Sequence, residues 1–366
     1  MKTIILTSSI ADSLYLFRRE LIERLIKDDY RVVVVCAYSK LYIEWFLGSG
    51  CEYEEIKVNR HGKSPINDLL VFIQYIKIIN KTKPDIILTY TIKPNIYASL
   101  ACRLLKVAYI NNITGLGVIE QKGIMQLLLT YMQRVAFKKS SCVFFQNEVN
   151  YSFYYNKRII KNKTRLIPGS GVSLNRFNVV QYPIDNEIYK FLTIGRVRKD
   201  KGIEELFEAI HKNNDNRIIF HIIGPIEEDK YIKKIDEFVD DCKLIYHGAL
   251  TNDEVKKIIA ECHCLIHPSH QEGMANVILE SAATARPVIT TDISGCREAV
   301  DDGVSGYLFP CGDSKALDQC IKRFISLSWD KKRDMGLAGR NKMEREFDRY
   351  IVVNSYMEEI DKCIEI

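Results

Sequence analysis

Short runs of β-branched residues alternate with longer segments of helical spacing along the whole chain. The first set of runs is Thr3–Thr7, Val32–Cys36, Ile86–Thr89, Ala108–Asn111 and Cys142–Phe145. Between them lie Leu14–Ile26, Leu69–Asn80 and Ile96–Leu105, whose apolar residues recur at helical intervals. Apolar runs without polar alternation read as strands buried on both faces, and helices between them indicate parallel, doubly wound sheets. At Ile167-Pro168-Gly169-Ser170-Gly171 the pattern breaks, because Pro and two Gly within four residues interrupt regular structure. It then restarts with Phe191–Ile194, Ile218–Ile223, Leu244–Tyr246, Cys264–His267, Val288–Thr291 and Tyr307–Phe309. The pattern predicts two α/β domains, residues 1–175 and 176–345. Residues 346–366 form a terminal helix expected to pack back toward the first domain. Such sheets bind ligands at their carboxyl ends.

A length of 366 residues suits two cores. No apolar run approaches the roughly 18–20 residues of a membrane span, and the N-terminus reads as a first strand rather than a leader. Eleven cysteines, odd in number and scattered, read as free thiols of a reducing cytoplasm. Cys262-His263-Cys264 lacks a second ligand pair at metal-site spacing.

The net charge of +5 hides an asymmetry. Residues 1–180 hold 26 Lys and Arg against 13 Asp and Glu, whereas the remainder holds 26 against 34. The basic half is expected to face something anionic: nucleic acid, a phospholipid surface or a diphosphate-linked acceptor. No nucleic-acid motif accompanies the charge. The segment Lys122–Lys139 is apolar with cations at both ends, which suits either a core helix or a peripheral membrane contact.

Two segments of the second half carry candidate chemistry. Gly195-Arg196-Val197-Arg198-Lys199-Asp200-Lys201-Gly202 follows a strand and opens a helix. Its tight turn, two cations and helix-start amides suit a diphosphate. The second, His270-Gln271-Glu272-Gly273-Met274-Ala275-Asn276-Val277-Ile278-Leu279-Glu280, also follows a strand and enters a helix. Eight residues of helix cover about 12 Å, so Glu272 and Glu280 can meet hydroxyls at the two ends of a nucleotide-sugar. Amides of residues 273–276 would meet the phosphates between them.

Glu272-Gly273 with Glu280 resembles the paired-glutamate motif of the retaining GT-B glycosyltransferases of family 4. Gly195-Arg196 with Lys201-Gly202 resembles that family's phosphate turn. Ser294-Gly295-Cys296-Arg297-Glu298 and Asp302–Phe309 resemble the segments that follow it. Lys93-Pro94-Asn95 and Asn112-Ile113-Thr114-Gly115-Leu116-Gly117 look like the branch that assembles capsule, O-antigen and protein-linked glycans, which includes α-1,3-N-acetylgalactosaminyltransferases. The first loop, Thr7–Asp12, lacks the glycine pair many members carry there.

The resemblance implies a GT-B fold, two Rossmann-like domains facing across a cleft. It implies a UDP-sugar donor, a lipid-diphosphate-linked saccharide acceptor and retention of configuration, with neither metal nor cofactor. The enzyme would lie peripherally on the inner face of the bacterial cell membrane. Arg196 and Lys201 would neutralise the leaving diphosphate; Glu272 would hold the transferred sugar and Glu280 the ribose. Gly195, Gly273, Met274, Ala275, Asn276 and Val277 would line the donor site, with Met274 and Asn276 setting donor preference. Glu298 would orient Arg196 or Lys201. On the acceptor side stand His61, Lys93, Asn112, Thr114 and Gly115. Asp301-Asp302 reads as turn acids rather than a metal pair. The alternatives are a UDP-sugar 2-epimerase of the same fold and a non-catalytic nucleotide-sugar-binding protein.

Overall fold

The computed structural model describes residues 1–58, 64–115, 124–184, 188–213 and 215–364. They form two compact units, Met1–Ser170 with Arg349–Ile366, and Gly171–Asp348.

The first unit is a seven-stranded parallel sheet of order β3-β2-β1-β4-β5-β6-β7. Its strands are β1 (Thr3–Thr7), β2 (Arg31–Cys36), β3 (Glu52–Glu55), β4 (Ile86–Thr89), β5 (Ala108–Ile113), β6 (Cys142–Phe145) and β7 (Thr164–Leu166). The direction of winding reverses between β1 and β4, which pair in the register Ile4↔Ile86. The connecting helices are α1 (Ala11–Lys27), α2 (Lys40–Gly48), α3 (Pro65–Thr82), α4 (Ile92–Leu105), α5 (Ile124–Phe137) and α6 (Glu148–Asn156). Local chemistry sets their starts. Ser64 accepts from the Asn67 amide ahead of Pro65, and Asn147 caps α6 through the Asn150 amide.

The second unit has six parallel strands of order β10-β9-β8-β11-β12-β13. These are β8 (Tyr189–Ile194), β9 (Ile218–Ile223), β10 (Leu244–Tyr246), β11 (Cys264–His267), β12 (Val288–Thr291) and β13 (Gly306–Phe309). Its helices are α7 (Ile203–Lys212), α8 (Ile232–Asp240), α9 (Asn252–Glu261), α10 (Asn276–Ala283), α11 (Ser314–Ile325) and α12 (Trp329–Glu346). Here the winding reverses between β8 and β11. Two apolar clusters fill this unit, one around Phe191, Phe220 and Phe324, the other around Ile278, Leu279 and Met343.

Arg286, 1% exposed, ties the chain entering the second unit to its sheet. Its guanidinium donates to the carbonyls of Gln181 (2.8 Å), Ala260 (2.7 Å), Val180 (3.1 Å) and Ile259 (3.2 Å). Burial lowers its pKa to about 10, which still leaves it charged at neutral pH.

The last helix, α13 (Arg349–Ile364), belongs to the first unit. Val352, Val353, Tyr356, Met357 and Ile360 join the core that holds Leu14, Leu21 and Leu25 of α1. Arg349 donates to Glu20 Oε2 at 2.8 Å, and Glu359 receives Lys163 at 2.7 Å. Among the described residues no helix is long and apolar enough to cross a membrane.

Candidate active site

Sheets wound in this order bind ligands outside the carboxyl ends of the strands where the winding reverses. In the second unit that point lies above β8 and β11, and both chemically suggestive segments start there. The chain leaves β8 at Ile194, passes Gly195 and forms a 3-10 turn over Lys199–Lys201. Gly202 then takes φ +70° and opens α7. A Cβ at Gly202 would lie 1.9 Å from the Pro268 carbonyl oxygen, so only glycine lets this turn rest on the loop after β11.

That contact brings together residues far apart in the chain. Lys201 Nζ lies 2.6 Å from Glu272 Oε1. His267, the last residue of β11 and 5% exposed, places Nε2 3.0 Å from the same oxygen. Facing a carboxylate, which only accepts, Nε2 carries the hydrogen. The β12 threonines hold the loop from below: Thr290 Oγ1 donates to the His267 carbonyl (2.8 Å) and Thr291 Oγ1 to that of Ser269 (2.6 Å). Gly295, at φ +89°, closes the other side. A Cβ there would approach the carbonyl oxygens of Glu272 and Gly273 to 2.9 Å each. Thr193, Gly195, Arg196, Lys201 and His267 line one small depression at this point.

Burial alone would raise the Glu272 pKa. The hydrogen bond from His267 and the charge of Lys201 outweigh it and bring the pKa down from 4.5 to about 2. A carboxyl with a depressed folded pKa stabilises the fold above its ordinary pKa, and that contribution is lost as the pH falls through the folded value. Wild type should therefore exceed Glu272→Gln in stability by an amount that is constant above pH 4.5 and shrinks toward pH 2. Urea unfolding of both proteins across that window measures it; a gap independent of pH would remove the charge from the account.

The other expected site residues divide into three groups. Arg196 lines the same depression, yet its guanidinium pairs with Glu227 at 3.1 Å, half exposed. Asn276 and Val277 form the first turn of α10, whose leading amides have no acceptor inside the helix. Asn276 Oδ1 is buried without a partner. Glu280 lies one helical turn further along the same face, partly buried. Gly273 packs under Gly295.

Three expectations need correction. The Met274 side chain is 6% exposed and belongs to the apolar core, so it does not shape a donor pocket. The Ala275 amide donates to the Gly295 carbonyl at 2.8 Å and is already committed. Glu298 accepts from Ser294 Oγ (3.0 Å) and the Gly295 amide (2.7 Å), so it braces that loop instead of orienting Arg196 or Lys201.

On the acceptor side, His61 lies outside the described residues. Lys93 pairs with Asp68 at 2.7 Å and is little exposed. Asn112 corrects a further expectation. It is 2% exposed, its Nδ2 donates to the Thr89 carbonyl at 3.1 Å, and its Oδ1 accepts from Tyr356 of α13, so its side chain belongs to the core. Thr114, exposed, and Gly115 follow the end of β5. Asp301 receives Lys342 at 2.5 Å and Asp302 receives the Leu308 amide at 2.9 Å, as befits turn acids.

Two participants escaped the sequence reading. His267 was visible only as the last residue of a strand. Glu205, in the first turn of α7, accepts His270 Nε2 at 2.8 Å and so fixes the loop that carries Glu272. A carboxylate three residues after Lys-Gly was its only signal.

Residues 175–342 match the family described as glycosyl transferases group 1, and residues 4–147 that described as glycosyl transferase 4-like. An α-1,3-N-acetylgalactosaminyltransferase of Campylobacter jejuni, named for N,N'-diacetylbacillosaminyl-diphospho-undecaprenol, is 24% identical, and the match covers 96% of each chain. The capsular polysaccharide biosynthesis glycosyltransferase CapM of Staphylococcus aureus is 24% identical over 78% of this chain and 79% of its own. Among solved structures, a glycosyltransferase of Rickettsia africae superposes with a TM-score of 0.82 at 18% identity, covering 99% of this chain and 98% of that one. Anabaena HepE in complex with UDP gives 0.81 at 16% identity, covering 99% and 100%. With both units wound as parallel Rossmann-like sheets and both halves matched, the chain belongs to the family-4-like glycosyltransferases of the GT-B fold.

Proposed function

We propose that this glycosyltransferase moves an N-acetylhexosamine, GalNAc or GlcNAc, from its UDP-sugar to an undecaprenyl-diphosphate-linked saccharide. It would do so with retention and without a metal, at the inner face of the bacterial membrane, in surface-polysaccharide assembly. The observation that carries the reading is the Lys201–Glu272–His267 constellation at the reversal point of the second sheet. The Campylobacter and Staphylococcus relatives support the pathway, and UDP in Anabaena HepE supports the donor.

In this reading Glu272, kept ionised, accepts hydroxyl hydrogens of the transferred sugar. Lys201 then divides its charge between Glu272 and the diphosphate, and Arg196 turns from Glu227 to the same phosphates. The leading amides of α10, at Asn276 and Val277, complete the phosphate cradle. Asn276 Oδ1 gains a hydroxyl donor, and Glu280 holds the ribose. Lys93, Thr114 and Gly115 contact the acceptor.

The acceptor oxygen attacks the anomeric carbon on the face the phosphate is leaving. The bond from that carbon to phosphate breaks with its electron pair going to UDP, and a leaving phosphate oxygen takes the acceptor proton. Both cations act where negative charge grows. The anomeric configuration of the product, read by proton NMR, tests the stereochemistry. An α-linked product supports the reading, and a β-linked one contradicts it.

A further inference from the structure

We infer that Glu227, in the loop after β9, competes with the bound diphosphate for Arg196 and thereby selects the sugar donor over spent UDP. This deepens the donor reading proposed above and rests on it.

The loop after β9 is pressed against the phosphate turn. A Cβ at Gly224, which takes φ +140°, would lie 1.9 Å from the Gly195 carbonyl oxygen and 2.6 Å from its carbon. Only glycine allows that approach. Beyond it the backbones are laced together. The Val197 amide donates to the Pro225 carbonyl (2.9 Å), and the Glu227 amide donates to the Val197 carbonyl (3.1 Å). Glu228 adds a third tie by accepting the Lys199 amide at 2.7 Å. The Glu227 backbone is therefore fixed beside the turn. Its carboxylate reaches two cations there: Oε1 lies 3.1 Å from Arg196 Nη1, and Oε2 lies 3.2 Å from Arg198 Nη1.

The Arg196 and Glu227 side chains are 44% and 37% exposed, so their pairing stabilises the fold little and yields readily to a diphosphate. The negative charge does not leave with it. When Arg196 turns to the phosphates, Arg198 still holds Glu227, with one guanidinium between the carboxylate and the diphosphate. Burial would push the Glu227 carboxyl up, yet Arg196 and Arg198 bring its pKa below the usual value, so it is ionised at neutral pH.

Its repulsion falls unequally on the two nucleotides. In the UDP-sugar each phosphate of the diphosphate bears a single charge. Transfer leaves UDP with a terminal phosphate that has taken the acceptor proton. Such a phosphate loses its second proton near pH 6, so at neutral pH UDP carries about one more negative charge than the donor. A fixed carboxylate thus weakens UDP binding more than donor binding, and selectivity is that difference.

Calorimetric titration of the full chain with UDP, UDP-GalNAc and UDP-GlcNAc tests this in wild type and in Glu227→Gln. The variant should bind UDP about three- to tenfold more tightly, with a clearly smaller gain for the bound UDP-sugar. The gain for UDP should shrink between about 0.05 and 0.5 M salt, where exposed charges become screened. Glu227→Asp, which keeps the charge, should retain the wild-type preference. UDP affinity unchanged or weakened in Glu227→Gln, or an equal gain for UDP and UDP-sugar, would overturn the inference and leave the donor reading standing. Wild type that binds none of the three nucleotides would overturn both.

Discussion

Lys201→Ala should lower kcat by about 10²- to 10³-fold, the usual consequence of removing a group aimed at charge that develops in the transition state. The proposed role assigns Lys201 to the leaving diphosphate, and its ammonium already sits 2.6 Å from Glu272. Its removal therefore acts twice. The diphosphate loses a cation, and the little-exposed Glu272 carboxylate keeps its negative charge with, among the described residues, His267 as its remaining ion-pair partner. Because negative charge on the leaving oxygen grows as the bond to carbon breaks, kcat should fall more than KM rises. Steady-state kinetics with the preferred UDP-sugar separates the two. A Lys201→Ala enzyme with unchanged kcat and raised KM would make the lysine a ground-state anchor.

Gly202→Ala should be nearly as damaging, although residue 202 touches no substrate in the proposed mechanism. The added methyl would lie 1.9 Å from the Pro268 carbonyl oxygen and 2.6 Å from its carbon, both backbone atoms, at φ +70°. Neither the turn nor the loop after β11 can keep its place. The loop that moves leads directly to Glu272, and a shift of about 1 Å at such a site can cost about 10²-fold in rate. Strain of this type should also remove about 2–4 kcal/mol of stability. Urea unfolding and kcat/KM measured on the same preparation check both. Full activity would show that Lys201 and Glu272 do not depend on this contact.

In the first sheet the sequence made the central strands plain and hid the edges, whereas the edge strands β10 and β13 of the second were apolar enough to be seen. β1, β2, β4, β5 and β6 are apolar because neighbours cover both faces, and their runs stood out. β3 reads Glu-Tyr-Glu-Glu and β7 reads Thr-Arg-Leu; as edge strands, partly exposed, they carry no such run and were not recognised. Helix starts were placed late by up to a turn. Pro65 and Pro94 look like breaks in the pattern, whereas each occupies the first turn, where a missing N–H costs nothing.

At the site, the residue types and their order could be read, and resemblance grouped them. What no local pattern contains is the 71-residue separation closed by Lys201 and Glu272, or the inward turn of the Met274 and Asn112 side chains. Polar or flexible side chains beside a motif look available to a ligand until packing partners appear. Asn112 found Tyr356, which is 244 residues away on the last helix.

The most direct test is turnover by purified protein with each UDP-hexose derivative, a synthetic lipid-diphosphate HexNAc acceptor and EDTA. The account predicts UDP release from a UDP-HexNAc, abolished in Glu272→Ala and strongly reduced in Lys201→Ala. UDP release undiminished in both variants would contradict it, because the donor would then be processed away from the site at the β8–β11 reversal.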